Sequence, residues 1–104
     1  MPSTRYVVKV DTAAYFKMYA HEHFLAQVSV PAAQRLHDAF ESALNSLEEN
    51  PCGYLRYEPH SKIEAELHRM LFAKRYRIVF EIRGDTVYIY DVQDCRQDID
   101  KNLV

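Results

Sequence analysis

Five cations crowd one short stretch of this chain. Between residues 68 and 83 lie Arg69, Lys74, Arg75, Arg77 and Arg83, with Glu81 as the only carboxylate among them. An arginine presents a planar fork that grips a phosphate or a carboxylate through two hydrogen bonds at once. Arg77 sits inside the run Tyr76-Arg77-Ile78-Val79-Phe80-Glu81-Ile82, where a strand holds that fork at a fixed place. Arg96, in the polar segment Asp94-Cys95-Arg96-Gln97-Asp98, is a second clamp if it reaches the same surface. The plainer alternatives are ion pairs, Arg77 with Glu81 and Arg96 with Asp94 or Asp98. His68, which exchanges protons near neutral pH, and Glu66 lie upstream. They supply an acid and a base only if they share a face with Arg77.

That condition depends on the elements that carry these residues. Tyr76 to Ile82 and Thr86 to Val92 are runs of β-branched and aromatic residues separated by Gly84-Asp85, a strong hairpin signal. A two-residue loop there sets Arg83 opposite Thr86 and Phe80 opposite Ile89. Side chains alternate along a strand. One face then carries Tyr76, Ile78, Phe80, Ile82, Val87 and Ile89 as core. The other carries Arg77, Val79, Glu81, Tyr88, Tyr90 and Val92, and Asp94 and Arg96 join it if the strand continues without a bulge. Ile63 to Phe72 reads as the preceding strand, with Ile63, Ala65, Leu67 and Leu71 on one face. A two-residue turn at Ala73-Lys74 keeps the apolar set together and places His68 and Glu66 beside Arg77. A three-residue turn places Arg69 there instead. The apolar pattern favours the first.

The rest of the chain supports this sheet. Arg5 to Asp11 alternates as a strand. Asp11 or Thr12 caps a helix from Ala13 to about Val28, whose aromatics Tyr15, Phe16, Tyr19 and Phe24 are most simply core. Ser29-Val30-Pro31 starts a second helix, running to about Glu49, with Leu36, Phe40, Ala43, Leu44 and Leu47 on one side. Tyr54 to Lys62 reads as a loop, since Pro59 forbids a central strand. The expected fold is α+β, in the order β-α-α-β-β-β, a helical hairpin on one face of a small, mainly antiparallel four-stranded sheet.

The 104 residues make one domain, expected to span the whole chain. With 48% apolar residues and no run of the ~20 needed to span a bilayer, a non-membrane protein is expected. The start Met-Pro-Ser-Thr-Arg-Tyr lacks an apolar signal region, so the expected location is cytoplasmic. There Cys52 and Cys95 are free thiols rather than a disulfide. A net charge of −2 gives no global argument for nucleic-acid binding. His21-Glu22-His23 has the residue types of a metal site but not the spacing, because residues two apart leave a helix on different sides. No cofactor is expected, and Cys52 lacks the positioned base that a nucleophile needs.

The order of elements, the strand Tyr-Arg-Ile-Val-Phe-Glu-Ile, the Gly-Asp turn and the closing Asp-Cys-Arg-Gln-Asp together resemble the RelE/ParE superfamily. These are the toxins of bacterial type II toxin–antitoxin, or plasmid-stabilisation, systems. The resemblance covers nearly the whole chain by element order and is specific over Leu67 to Asp98. It implies a toxin held inactive by a cognate antitoxin, oligomerising through it. RelE-like members are ribosome-dependent, metal-independent endoribonucleases (mRNA interferases), while ParE-like members inhibit DNA gyrase without catalysis. By the first resemblance Arg77, Arg96, His68 and Glu66 are catalytic, and Arg69, Lys74 and Arg75 bind RNA phosphates. Glu58, ahead of Pro59, is similar to a loop glutamate of YoeB-like nucleases. The chain departs from the nucleases in lacking a lysine pair on the second strand, where Met70 stands, and a histidine or tyrosine in the closing segment. Its net charge is also acidic. The endonuclease is the first expectation and the gyrase inhibitor the second.

Overall fold

The computed structural model describes residues 5–60, 62–97 and 101–104; Asp98 and the N-terminal residues 1–4 lie outside it. Within the described residues the elements are β1 (Val7–Val10), α1 (Thr12–Val28), α2 (Val30–Glu49), β2 (Arg56–Tyr57), β3 (Leu67–Phe72), β4 (Tyr76–Arg83) and β5 (Thr86–Asp94). The strands form one sheet in the order β1-β5-β4-β3-β2. Strand β1 runs parallel to β5, and the other neighbours are antiparallel. The α+β class holds. A fifth strand joins the expected four because Arg56 and Tyr57, ahead of Pro59, pair with His68 and Leu67 at the sheet edge.

Local chemistry sets the helical hairpin. Ser29 is extended (φ −159°) and ends α1, while its hydroxyl oxygen accepts from the Ala32 N–H at 3.2 Å to cap α2. Pro31 occupies the first turn, where its missing N–H leaves no bond unmade. Helix α2 turns Ala33, Leu36, Phe40, Ala43 and Leu47 inward. Of these, Leu36, Phe40, Ala43 and Leu47 pack with Ile78, Phe80, Val87, Ile89 and Val92 of the sheet into the main core. Helix α1 buries Ala14, Met18 and His21. Its aromatics do not join that core as expected. Tyr15, Phe16, Tyr19 and Phe24 are all exposed, Phe24 to 71%. Helix α1 is apolar on both sides, and the small residues and Met18 took the inward one. Among the described residues no helix is long and apolar enough to cross a membrane.

The sheet has a second, smaller core on the face away from the helices, built from Tyr57, Leu67, Val79 and Val104. This explains the outcome at the β3–β4 turn. Phe72 pairs with Tyr76 and Leu71 with Arg77, so the loop is Ala73-Lys74-Arg75, three residues rather than the expected two. Leu67 is buried in the second core, while Leu71 on the same face is 62% exposed. The apolar stripe thus belongs to the helix-free face, and Phe72 enters the main core. His68 and Glu66 are therefore not brought to Arg77; Arg69 is.

That loop holds Ala73 at φ 48° and Lys74 at φ 69°, the left-handed region that favours glycine. Lys74→Gly is expected to raise stability by about 0.5–1 kcal/mol. The check is a urea midpoint that moves up with an unchanged slope.

The β4–β5 hairpin starts as expected, with Arg83 opposite Thr86 and Phe80 opposite Ile89. A bulge follows, and Val79 lies opposite Asp91, leaving Tyr90 as the extra residue. Past the bulge every face is reversed. Val92 goes into the main core, Gln93 pairs with Arg77, and Asp94 pairs with Tyr76.

Candidate functional site

On the helix-free face, a groove of about 450 Å³ opens beside the second core. Arg69 and Arg77 line it from β3 and β4, and Arg56 and Tyr57 from the edge strand β2. Gln97 and Asn102 close it from the C-terminal segment. Alternation along β3 and β4 accounts for the pair. Arg77 stands opposite Leu71 and Arg69 opposite Val79, so both forks leave the same side of the sheet on neighbouring strands.

A buried network holds Arg77. Its Nε donates to Gln93 Oε1 at 2.8 Å, and its guanidinium carbon lies 5.1 Å from the centre of the Tyr57 ring, a cation–π contact. Gln93 is fully buried, and both hydrogens of its amide are used. Nε2 donates to the Tyr57 hydroxyl at 2.9 Å and to Asp91 Oδ2 at 2.8 Å. Asp91, also fully buried, accepts in addition from the Leu103 N–H at 2.8 Å and from Lys17 Nζ at 2.6 Å. Lys17 comes from α1, on the opposite side of the sheet. It reaches Asp91 because β1 pairs with β5 only as far as Ile89. His21 uses the same open edge, its Nε2 lying 2.9 Å from the Val92 carbonyl oxygen. The Tyr57 hydroxyl in turn donates to the Val104 carbonyl at 2.8 Å.

Charge in the groove is lopsided. Arg56 pairs with Glu58 at 3.2 Å. Asp94, at the groove margin, is taken by Arg96 through Nε at 3.1 Å and Nη2 at 2.9 Å. Burial pushes the Asp94 carboxyl up, but hydrogen bonds from the Arg96 side chain and backbone outweigh it and hold the group below the usual aspartate value. Among the described residues Arg69 and Arg77 have no carboxylate partner, and Arg69 Nε is buried without any hydrogen-bond partner.

The other residues singled out in the sequence fall elsewhere. Arg96 pairs with Asp94 rather than sharing a surface with Arg77, because the bulge moved Asp94 opposite Tyr76. His68 lies toward the main core. Its ring sits 5.8 Å from Phe80 and its Nδ1 3.2 Å from the Tyr54 carbonyl oxygen. Glu66 is exposed just before β3. Lys74 and Arg75 are exposed in the β3–β4 turn and do not line the groove. Glu81 pairs with Arg83 at 2.6 Å, not with Arg77. His21, Glu22 and His23 have separate partners, respectively the Val92 carbonyl, His37 and Gln27. Cys52 and Cys95 are free.

Sequence reading missed Tyr57, Asp91, Gln93 and Lys17. One signal was present. Asp91 and Gln93 interrupt an apolar strand two residues apart, and two polar residues on one face of a buried strand require partners. Chemically, the groove can hold an oxyanion in the forks of Arg69 and Arg77. Among its described lining residues no histidine offers proton transfer at neutral pH.

Residues 8–99 match the family model described as the ParE toxin of the type II toxin–antitoxin system, parDE, and the chain belongs to that family. No curated protein matches the sequence. As the toxin of such a system, the protein has an antitoxin partner.

Proposed function

We propose that this toxin acts by binding rather than by cutting RNA, as a ParE-like inhibitor of DNA gyrase. The observation that carries the reading is the position of His68, on the helix side of the sheet with its ring against Phe80. Cleavage by a 2′-hydroxyl needs an acid and a base as well as a cation for the developing charge. The described part of the arginine groove supplies cations, and its carboxylates Glu58 and Asp94 are each engaged by an arginine, Arg56 and Arg96. The family match supports a toxin of a type II toxin–antitoxin system. The exposed aromatics Tyr15, Phe16, Tyr19 and Phe24 of α1 are the surface for an amphipathic antitoxin segment, since several large apolar side chains exposed on one helix mark an interaction surface.

A second reading, the ribosome-dependent endonuclease, is favoured by the convergence of Arg69 and Arg77. The two separate cleanly. Purified protein is expected to block supercoiling by gyrase while messages on ribosomes stay intact in toe-printing. Cleaved messages with unimpaired supercoiling overturn the proposal. In that case Arg77→Ala is expected to slow cleavage by ~10²–10³, the loss of one charge-stabilising donor.

A further inference from the structure

We infer that Lys17, on the helix side of the sheet, is a positioning residue for Arg77 on the other side. Through Asp91 and Gln93 it fixes the guanidinium that lines the groove, and so gives α1 a hold on the groove. The inference goes beyond gyrase inhibition and does not depend on it, because it concerns how Arg77 is held and not what the toxin acts on.

Placement in the helix is the first sign. The buried residues of α1 are Ala14, Met18 and His21, and Lys17 stands inside their stripe, one turn from Ala14 and one from His21. A lysine on an inward stripe needs an anion. Asp91 supplies it, fully buried, with the two atoms 2.6 Å apart. Two apolar residues of similar volume often serve stability as well as a buried ion pair does. What they cannot do is direct an amide.

Beyond Asp91 every link has one polarity. As the partner of an ammonium, Asp91 is a carboxylate, which only accepts. Its Oδ2 therefore draws the amide nitrogen of Gln93, at 2.8 Å. The Tyr57 hydroxyl commits its single hydrogen to the Val104 carbonyl, so toward Gln93 it too accepts, at 2.9 Å. Both amide hydrogens of Gln93 are thereby assigned, and Oε1 is left for Arg77, whose Nε donates to it at 2.8 Å. The turned-over amide would set a donor against the Arg77 Nε–H and an acceptor against Asp91, leaving buried groups unpaired. One placement of Arg77 follows, with its guanidinium against the Tyr57 ring. Neighbouring Arg69 has no such chain, and its Nε meets no acceptor among the described residues.

The test reads, by NMR on the intact protein, how fast the Arg77 Nε–Hε proton exchanges with water. Arg83, whose Nε lies 2.6 Å from Glu81 and outside this chain of bonds, is the internal control. Lys17→Met is expected to speed exchange at Arg77 about tenfold or more, the factor for losing a hydrogen bond to a charged group, and to leave Arg83 as in the parent. Adding Asp91→Asn separates positioning from stability. The double variant is expected to regain most of the parent's urea midpoint yet keep the fast exchange at Arg77. An amide at residue 91 donates as well as accepts, so it no longer dictates which way Gln93 turns. If Lys17→Met does not fold, the double variant decides. The inference is overturned if the folded variants exchange Arg77 at the parent's rate, or if Arg83 quickens as much as Arg77, either of which makes the role of Lys17 structural only. Blocked supercoiling with Arg77 unmoved rejects this inference alone, and the reverse result rejects the gyrase reading alone.

Discussion

Lys17→Met is expected to destabilise the protein by about 3–5 kcal/mol, the range for removing one partner of a buried ion pair. Its partner Asp91 is fully buried, the two atoms are 2.6 Å apart, and the Lys17 side chain is itself only 17% exposed. Methionine keeps most of the hydrophobic stem but leaves the carboxylate facing only the Gln93 amide and the Leu103 N–H. These dipoles do not replace a full charge. Asp91→Asn in the same background is expected to restore most of the loss, since it removes the stranded charge and retains an acceptor. Urea denaturation of the single and double variants measures both. A single-variant loss below ~1 kcal/mol, the range of exposed pairs, shows that water reaches Asp91 and that the network is looser than its geometry implies. The same variants bear on the groove, because Asp91 orients Gln93 and Gln93 orients Arg77.

Phe40→Ala is expected to cost about 3–5 kcal/mol, the range for truncating a buried aromatic in a close-packed core. Phe40 is buried on the inward side of α2, and its ring lies 5.7 Å from that of Phe72 at the end of β3. Its loss leaves a hole between the helical hairpin and the sheet that neither rigid element can close. A denaturation midpoint close to that of the parent would mean that this helix face is not seated on the sheet. Phe72 reaches this contact only because the β3–β4 loop has three residues, so the effect also reports on the register.

The two faces of the sheet give the protein two distinct surfaces. The helix side carries the main core and, outside it, the aromatics of α1. The other side carries a small core and the arginine groove. Lys17 joins them, starting from α1 and ending in the network beneath Arg77.

Much of this was legible from local signals. The inward stripe of α2, the break at Ser29-Val30-Pro31 and the Gly84-Asp85 hairpin depend on residues close in the chain, where periodicity and turn chemistry dictate the outcome. The α+β class followed from the order of those elements. What tertiary structure alone decided were faces and register. The β3–β4 turn uses left-handed Ala73 and Lys74, residue types that announce no such turn. Its length moved His68 away from Arg77 and brought Arg69 in. The bulge at Tyr90 has no local mark either, yet it exchanged Val92 for Gln93 beside Arg77 and took Arg96 out of the site. Because the side-chain period of a strand is two, a one-residue change reverses every face beyond it. That choice rests on which residues the second core can bury, and Tyr57, Leu67, Val79 and Val104 meet only in the folded chain.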